Sequence, residues 1–420
     1  MKKIVFICTM ICVLAFLTVP ASAVSSMSYD SMVVGKSNPA YDITTIQDAV
    51  DKGGSVLLKG TFDFGKDGSV NISKDVKIYG EIDAQGNPAT RVQGGFWTFH
   101  SKLPAQLPPQ TPGPKVTIQG IHFDGAQRAP ISLPYCSGAN IVKNKITNVQ
   151  LHEVPVFGKS GLYRQQGIVF NPLYTLPKEN RKYQPGAITG DIVVTDNDID
   201  MSNDIPEKTL SQGVNILWST GATTKILRNR VVNCSRNSLE SIDNYPGKDG
   251  SGMTLIKDNT IVTATKGIPV PSPTTPNGVV AGWFFDLSGA TDPARKTKTV
   301  VTNNQIEVRG ATSFGITVIA DGGIITSNHI VVGGGPKANG IMQLASNSLI
   351  ANNTIEGSGL CAALTMPFKS LKACGNTFVG NDLSHFKAFA ANVLLQSSDN
   401  IFIGKCGKVI DKGHRNQILD

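Results

Sequence analysis

A short pattern recurs along most of this chain: alternating apolar residues, an Asn, one variable residue, then Ile, Val or Phe. It reads Ile141-Val142-Lys143-Asn144-Lys145-Ile146, Ile226-Leu227-Arg228-Asn229-Arg230-Val231 and Val300-Val301-Thr302-Asn303-Asn304-Gln305-Ile306. From Asn304 the anchor steps to Asn328, Asn353 and Asn376, at intervals of 24, 25 and 23 residues, with a looser copy at Asn400. Upstream, Gly120 fills the same slot, 24 residues before Asn144. A fixed period of this length is the mark of a solenoid, because each repeat buries its apolar face only against its neighbours.

The apolar pieces are short, rich in Val and Ile, and alternate at period 2, which makes them strands. Gly, Asn, Ser and Pro separate them, and long stretches of 3.6-residue period are nearly absent. Helical repeats are thereby excluded. Each coil should pair in parallel with the next, adding roughly 4.8 Å of length. The recurrent Asn sits where the chain must bend, through a left-handed conformation that Asn tolerates. An inward amide at that corner donates to the Asn of the next coil and accepts from the previous one, so the Asn row is structural.

These features, with the entry segment Thr44-Thr45-Ile46-Gln47-Asp48-Ala49-Val50 running on to Phe62, resemble the pectin-lyase-like superfamily. The resemblance implies an all-β fold, a single-stranded right-handed parallel β-helix with an N-terminal amphipathic capping helix. It assigns residues 24–420 to one domain, with the cap at 44–62 and regular tight coils at 300–405. In such a cap Ile46, Ala49 and Val50 lie on one face. The superfamily includes lyases, hydrolases, epimerases, adhesins and proteins without a known reaction, so it defines fold and leaves activity open. Its polygalacturonate hydrolases carry Asn-Thr-Asp, Asp-Asp, Gly-His-Gly and Arg-Ile-Lys, none of which is present here.

The N-terminus predicts export. Lys2 and Lys3 precede an uncharged apolar run from Ile4 to Val19, Pro20 follows, and Ala21-Ser22-Ala23 supplies a cleavage site. Cleavage after Ala23 would release the chain to the periplasm or beyond, and no later stretch is apolar enough to span a bilayer. Removing Lys2 and Lys3 leaves 37 basic residues against 31 acidic. That balance favours an acidic polysaccharide or an anionic cell surface as partner. Nucleic acid is not expected outside the cytoplasm, and a monomer is. Cys136, Cys234, Cys361, Cys374 and Cys406 remain, an odd number, mostly buried thiols, with Cys361–Cys374 the pairing that export would permit.

The repeat lengthens in the middle of the chain, where extra residues must emerge as loops on one face. One set covers Leu151 to Gln166 and Pro172 to Gly190; a second, Pro-rich, covers Thr265 to Asn277. Between them one strand recurs in each coil. Period 2 turns Ile168, Val214, Leu239, Ile316 and Ile341 inward and Val169, Asn215, Glu240, Thr317 and Met342 outward.

Two classes of function remain open. The first is an exported β-helix that binds polysaccharide or a cell surface, with no cofactor. The second is a polysaccharide lyase or glycoside hydrolase acting on an acidic polysaccharide, with Ca²⁺ needed only if it is a lyase. Its catalytic candidates are Glu240, Asp243, Arg236 and Asp286, since hydrolysis needs two carboxylates converging on one bond. Asp321, Arg164, Trp218 and Trp283 are the substrate-binding candidates, the indoles as sugar-stacking platforms beside Trp97. The bland alternative makes Asp243, Asp286 and Asp321 strand-end turn residues. Further acid–base or metal candidates are His122 and Asp124 with Arg128, His152 and Glu153, and Asp196, Asp198 and Asp200. Convergence of Glu240, Asp243 and Arg236 would favour an enzyme; scatter would favour binding.

Overall fold

A computed structural model describes residues 28–153, 161–176, 181–264, 275–283, 293–333, 335–365, 372–387, 389–393, 397–404 and 408–419. The expected signal peptide lies outside them, as do Asp286, Cys406 and most of the Pro-rich loop. Among the described residues no helix is long and apolar enough to cross a membrane.

The chain is a parallel β-helix. Its strands form three long sheets, of 14, 10 and 13 strands, here called A, B and C. One coil shows the path: Asn237–Ile242 in sheet C, Met253–Lys257 in sheet A, Thr260–Thr263 in sheet B, then Asn277–Gly282 back in sheet C. Each of these strands pairs in parallel with the same position one coil on. Period 2 then stacks like on like. On sheet A, Ile118, Ile141, Val194, Ile226, Ile256, Val301, Ile325 and Ile350 follow one another in register, each at most 1% exposed. The inward row predicted for sheet C is likewise buried.

The Asn row forms as expected, with two differences. From Asn144 it runs through Asn197, Asn229, Asn259, Asn304, Asn328 and Asn353, each Nδ2 donating to the next Oδ1 at 2.9–3.1 Å. Each Oδ1 also accepts the backbone N–H of the preceding Asn at 2.9–3.0 Å. The left-handed residue, however, is the one before each ladder Asn: Lys143, Asp196, Arg228, Asp258, Asn303, Ser327 and Asn352 have φ of 51–58°. Gly120 (φ 73°) belongs to that column, because Asn144 Oδ1 receives its bond from Ile121 N–H. The second difference is that Asn353 donates to Asn381, at 2.8 Å, and not to Asn376. Leu349–Ala351 pairs with Thr377–Val379, so Asn376 aligns with Ser348 and starts a second ladder through Asn400 to Asn416.

At the N-terminal end an α-helix, α1 (Pro39–Lys52), starts earlier than the sequence suggested, because Asn38 caps it and Pro39 fixes the first turn. Ile46, Ala49 and Val50 are buried on one face and join the core. The Asp42 carboxylate, fully buried, accepts the N–H groups of Lys36, Asn38 and Asp63, each at 2.9 Å, and ties the helix to the first coil.

Cys136, Cys234, Cys361 and Cys374 are free thiols, mostly buried as expected, and the Cys361–Cys374 bridge that export would permit is not formed. Cys361 instead donates to Asn339 Oδ1, and Cys374 lies 3.4 Å from Ser346 Oγ. Burial pushes the thiols of Cys136, Cys234 and Cys361 up to about 12, which keeps them protonated and unreactive.

Candidate functional site

An outward column runs along sheet C through His100, Ser132, Val169, Asn215 and Glu240; nearby, Trp97 aligns with Ala129 and Gln166 with Gln212. Glu240 faces outward as predicted, yet it is only 6% exposed. Its Oε2 accepts from Asn215 Nδ2 at 2.9 Å and from Gln212 Nε2. Gln166 in turn donates to Gln212 Oε1 at 2.8 Å, and Asn171 to Asn215 Oδ1 at 2.6 Å. The result is a buried amide network with one carboxylate at its end. Sequence reasoning missed these amides, although Gln-Gly at 166–167 and again at 212–213 was the available signal.

The other catalytic candidates within the described residues are not among the hydrogen-bond partners of Glu240. Asp243 is a fully buried turn residue with φ of 50°, its N–H donating to Gly282 O at 2.8 Å. Arg236 is half-buried before the strand, and neither residue hydrogen-bonds to Glu240. Asp321 is two coils further on, held by Arg295 Nη2 at 2.7 Å and Ser346 N–H at 3.1 Å.

Trp218 and Trp283 are 0% and 5% exposed, which corrects their reading as open stacking platforms. Trp218 packs with Leu176, Leu217, Ile242, Tyr245 and Val280 in a second apolar cluster, with Leu173 and Tyr183 against it. Tyr183 is itself held there: its ring stacks on Tyr245 at 3.8 Å and its hydroxyl lies 2.6 Å from Thr220 Oγ1. Burial here outweighs any use as a surface, because an indole covers more apolar area than other side chains.

A half-buried aromatic group lies at the N-terminal coils. Trp97 is half-buried and stacks on His100 at 4.6 Å. The Arg128 guanidinium lies 5.4 Å from the Trp97 ring and 5.9 Å from Phe96, and His152 meets Phe96 edge-on at 5.2 Å. Antiparallel pairing brings Arg164 opposite His152. Burial, then the charges of Arg128 and Arg164, hold His152 below its usual range. The cationic character is thus carried by the two guanidiniums, both half-buried.

His100 is held at about 4: burial disfavours its cation and Lys102 adds to this, against a hydrogen bond to Ser132 O. The unfolded chain, with an ordinary imidazole, takes up that proton near pH 6.5, so the fold loses stability as pH falls from there to about 4. His100→Asn should lose less stability across that window in urea unfolding at about pH 7 and about pH 4.5. Equal losses in both proteins would contradict the assignment.

The remaining candidates are engaged structurally. His122 Nε2 lies 2.9 Å from Thr147 Oγ1, which donates to Asp124; Arg91, not Arg128, pairs with Asp124. Asp196 and Asp198 are bound by Arg228 and Arg230, and Asp200 accepts from Asn233 and Ser202. Three carboxylates so occupied make a poor Ca²⁺ cradle. No group of three or more His, Cys, Asp or Glu side chains is placed to hold a metal among the described residues.

No protein-family model matches the sequence, and no curated protein sequence does. Solved structures with a similar fold include DFA-IIIase from Arthrobacter chlorophenolicus A6 in complex with GF2, at 11% identity and a TM-score of 0.48, covering 92% of this chain and 97% of that one. A mannuronan C-5 epimerase module, AlgE6 from Azotobacter vinelandii, shows 12% identity and a TM-score of 0.36 over 90% of this chain and 93% of its own. The Dettilon tailspike protein shows 14% identity and a TM-score of 0.42 over 92% and 68%. At these values the likeness is to the outline of the coil and reaches no site.

Proposed function

We propose that this is an exported β-helix that binds an acidic polysaccharide, free or on a cell surface, without turning it over. It would be released by cleavage after Ala23, act as a monomer and need no cofactor, with α1 closing its N-terminal end. The observation that carries this reading is the half-buried Phe96–Trp97–Arg128 cluster beside Arg164 on the outer face of sheet C. Guanidiniums pair with carboxylate or sulfate groups, and aromatic rings offer apolar area to a sugar face. The excess of basic residues favours the same partners. Against catalysis stands the burial of Glu240, 6% exposed with its Oε2 occupied by Gln212 and Asn215.

The test is electrophoresis of the mature chain through gels containing polygalacturonate, alginate or heparin. Retardation that fades with salt, with neither unsaturated products nor new reducing ends in parallel incubations, supports binding. Unsaturated products would establish the lyase reading and new reducing ends the hydrolase. Either would redirect attention to Glu240.

A further inference from the structure

A groove of about 780 Å³ runs over the N-terminal part of sheet A, a different face from the cluster above. Ser55, Lys77, Thr117, Asn140 and Val193 follow one another in register along it. Asp75, Lys115, Gly138 and Asp191 form a second row at the strand starts. A ligand lying along the coil axis would thus meet a new side chain at intervals of roughly 4.8 Å. Gly190 at its edge, with φ of 69°, lets two coils pack closely: a Cβ there would fall 2.1 Å from the Ser137 carbonyl oxygen.

The chemistry of the lining is mixed. Asp30 is bound by Ser55 and Asp75 by the Lys115 N–H. The side chains of Lys77, Thr117, Asn140 and Asp191 also line the groove or its floor, and offer donors and acceptors in near charge balance. Among the described residues, no aromatic ring and no guanidinium lines the groove. An extended peptide adds to an open strand edge, whereas here the strands already pair on both sides and only side chains face outward. Hydroxyl groups, which both donate and accept, fit such a surface; a polyanion meets three carboxylates.

We propose that this groove is a second carbohydrate site, for a neutral, hydroxyl-rich polysaccharide chain lying parallel to the coil axis. It does not depend on the sheet C reading. The test is affinity electrophoresis of the mature chain in hydroxyethyl cellulose, galactomannan, soluble xylan and dextran. At least one should retard the protein, and the retardation should persist at about 0.5 M salt, since no net charge drives it. Asn140→Trp, which fills the groove, and Lys115→Ala, which only removes a donor, should each weaken it, the first by about tenfold or more. Trp97→Ala should leave it unchanged. Absence of retardation in all four polymers overturns the proposal. So does retardation that survives both groove substitutions, or that Trp97→Ala abolishes.

Discussion

Replacing Asn259 by Leu should destabilise the protein by about 3–6 kcal/mol, far more than replacing its exposed neighbour Thr260 by Ala. Asn259 Nδ2 donates to Ile226 O at 2.9 Å, Lys257 O at 3.1 Å and Asn304 Oδ1 at 2.9 Å. Its Oδ1 accepts the N–H of Asn229 at 2.9 Å and Asn229 Nδ2 at 3.0 Å. Leu keeps the volume and removes every one of these bonds. The Asn229 N–H and the Ile226 carbonyl then have no water to turn to, and each buried unsatisfied group costs about 1–3 kcal/mol. Asn259→Asp should also be costly, since it retains the acceptor but loses both donors and buries a charge. Because each coil packs mainly on its neighbours, the defect should also split unfolding into separate transitions on either side of residue 259. Urea unfolding followed by circular dichroism measures both effects. A loss below about 1 kcal/mol would mean that the ladder is decorative.

The largest expected effect on binding comes from Arg128 and Arg164. Changing both to Gln keeps much of their length and removes both charges beside the half-buried Trp97. A charge-assisted hydrogen bond contributes about 1.5–3 kcal/mol, so affinity for an acidic polysaccharide should fall about tenfold to a hundredfold for each guanidinium–anion bond removed. The salt dependence of what binding remains should flatten, because fewer ion pairs form. Trp97→Ala should lower affinity too, without changing the salt dependence, since it removes ring area and no charge. Titration of immobilised polygalacturonate at several salt concentrations separates the two. Unchanged affinity in the double Arg variant would sink the sheet C site while leaving the sheet A groove to its own test.

The parts of the molecule that repeat are legible in the sequence. The strands, the inward rows of sheets A and C, the outward placement of Glu240 and the Asn ladder all follow from period 2 within a rung and a period of about two dozen residues between rungs. Expectation and structure part where the period slips. The step from Asn353 to Asn376 has a regular length, but it spans a corner that moved to Asn381 and opened a second ladder. The left-handed turn, expected at the Asn itself, is taken one residue earlier by residues as unlike as Lys143 and Ser327. Both are exposed, so nothing in their chemistry marks the bend.

The site is legible only in part. Sequence alone determined that Glu240 lies on the outer side of a coil, because alternation is a local property of the backbone. Whether an outward residue meets solvent was decided by the tertiary structure. Leu173, Leu176 and Tyr183 pack with Trp218, Tyr245 and Val280 and bury the indole, while Trp97 stays half-buried beside Arg128. Likewise the rung register put Gln212 and Asn215 against Glu240 and left Asp243 in the turn. Distances between coils depend on where long loops settle, and that is fixed by packing across the whole solenoid rather than by any local pattern.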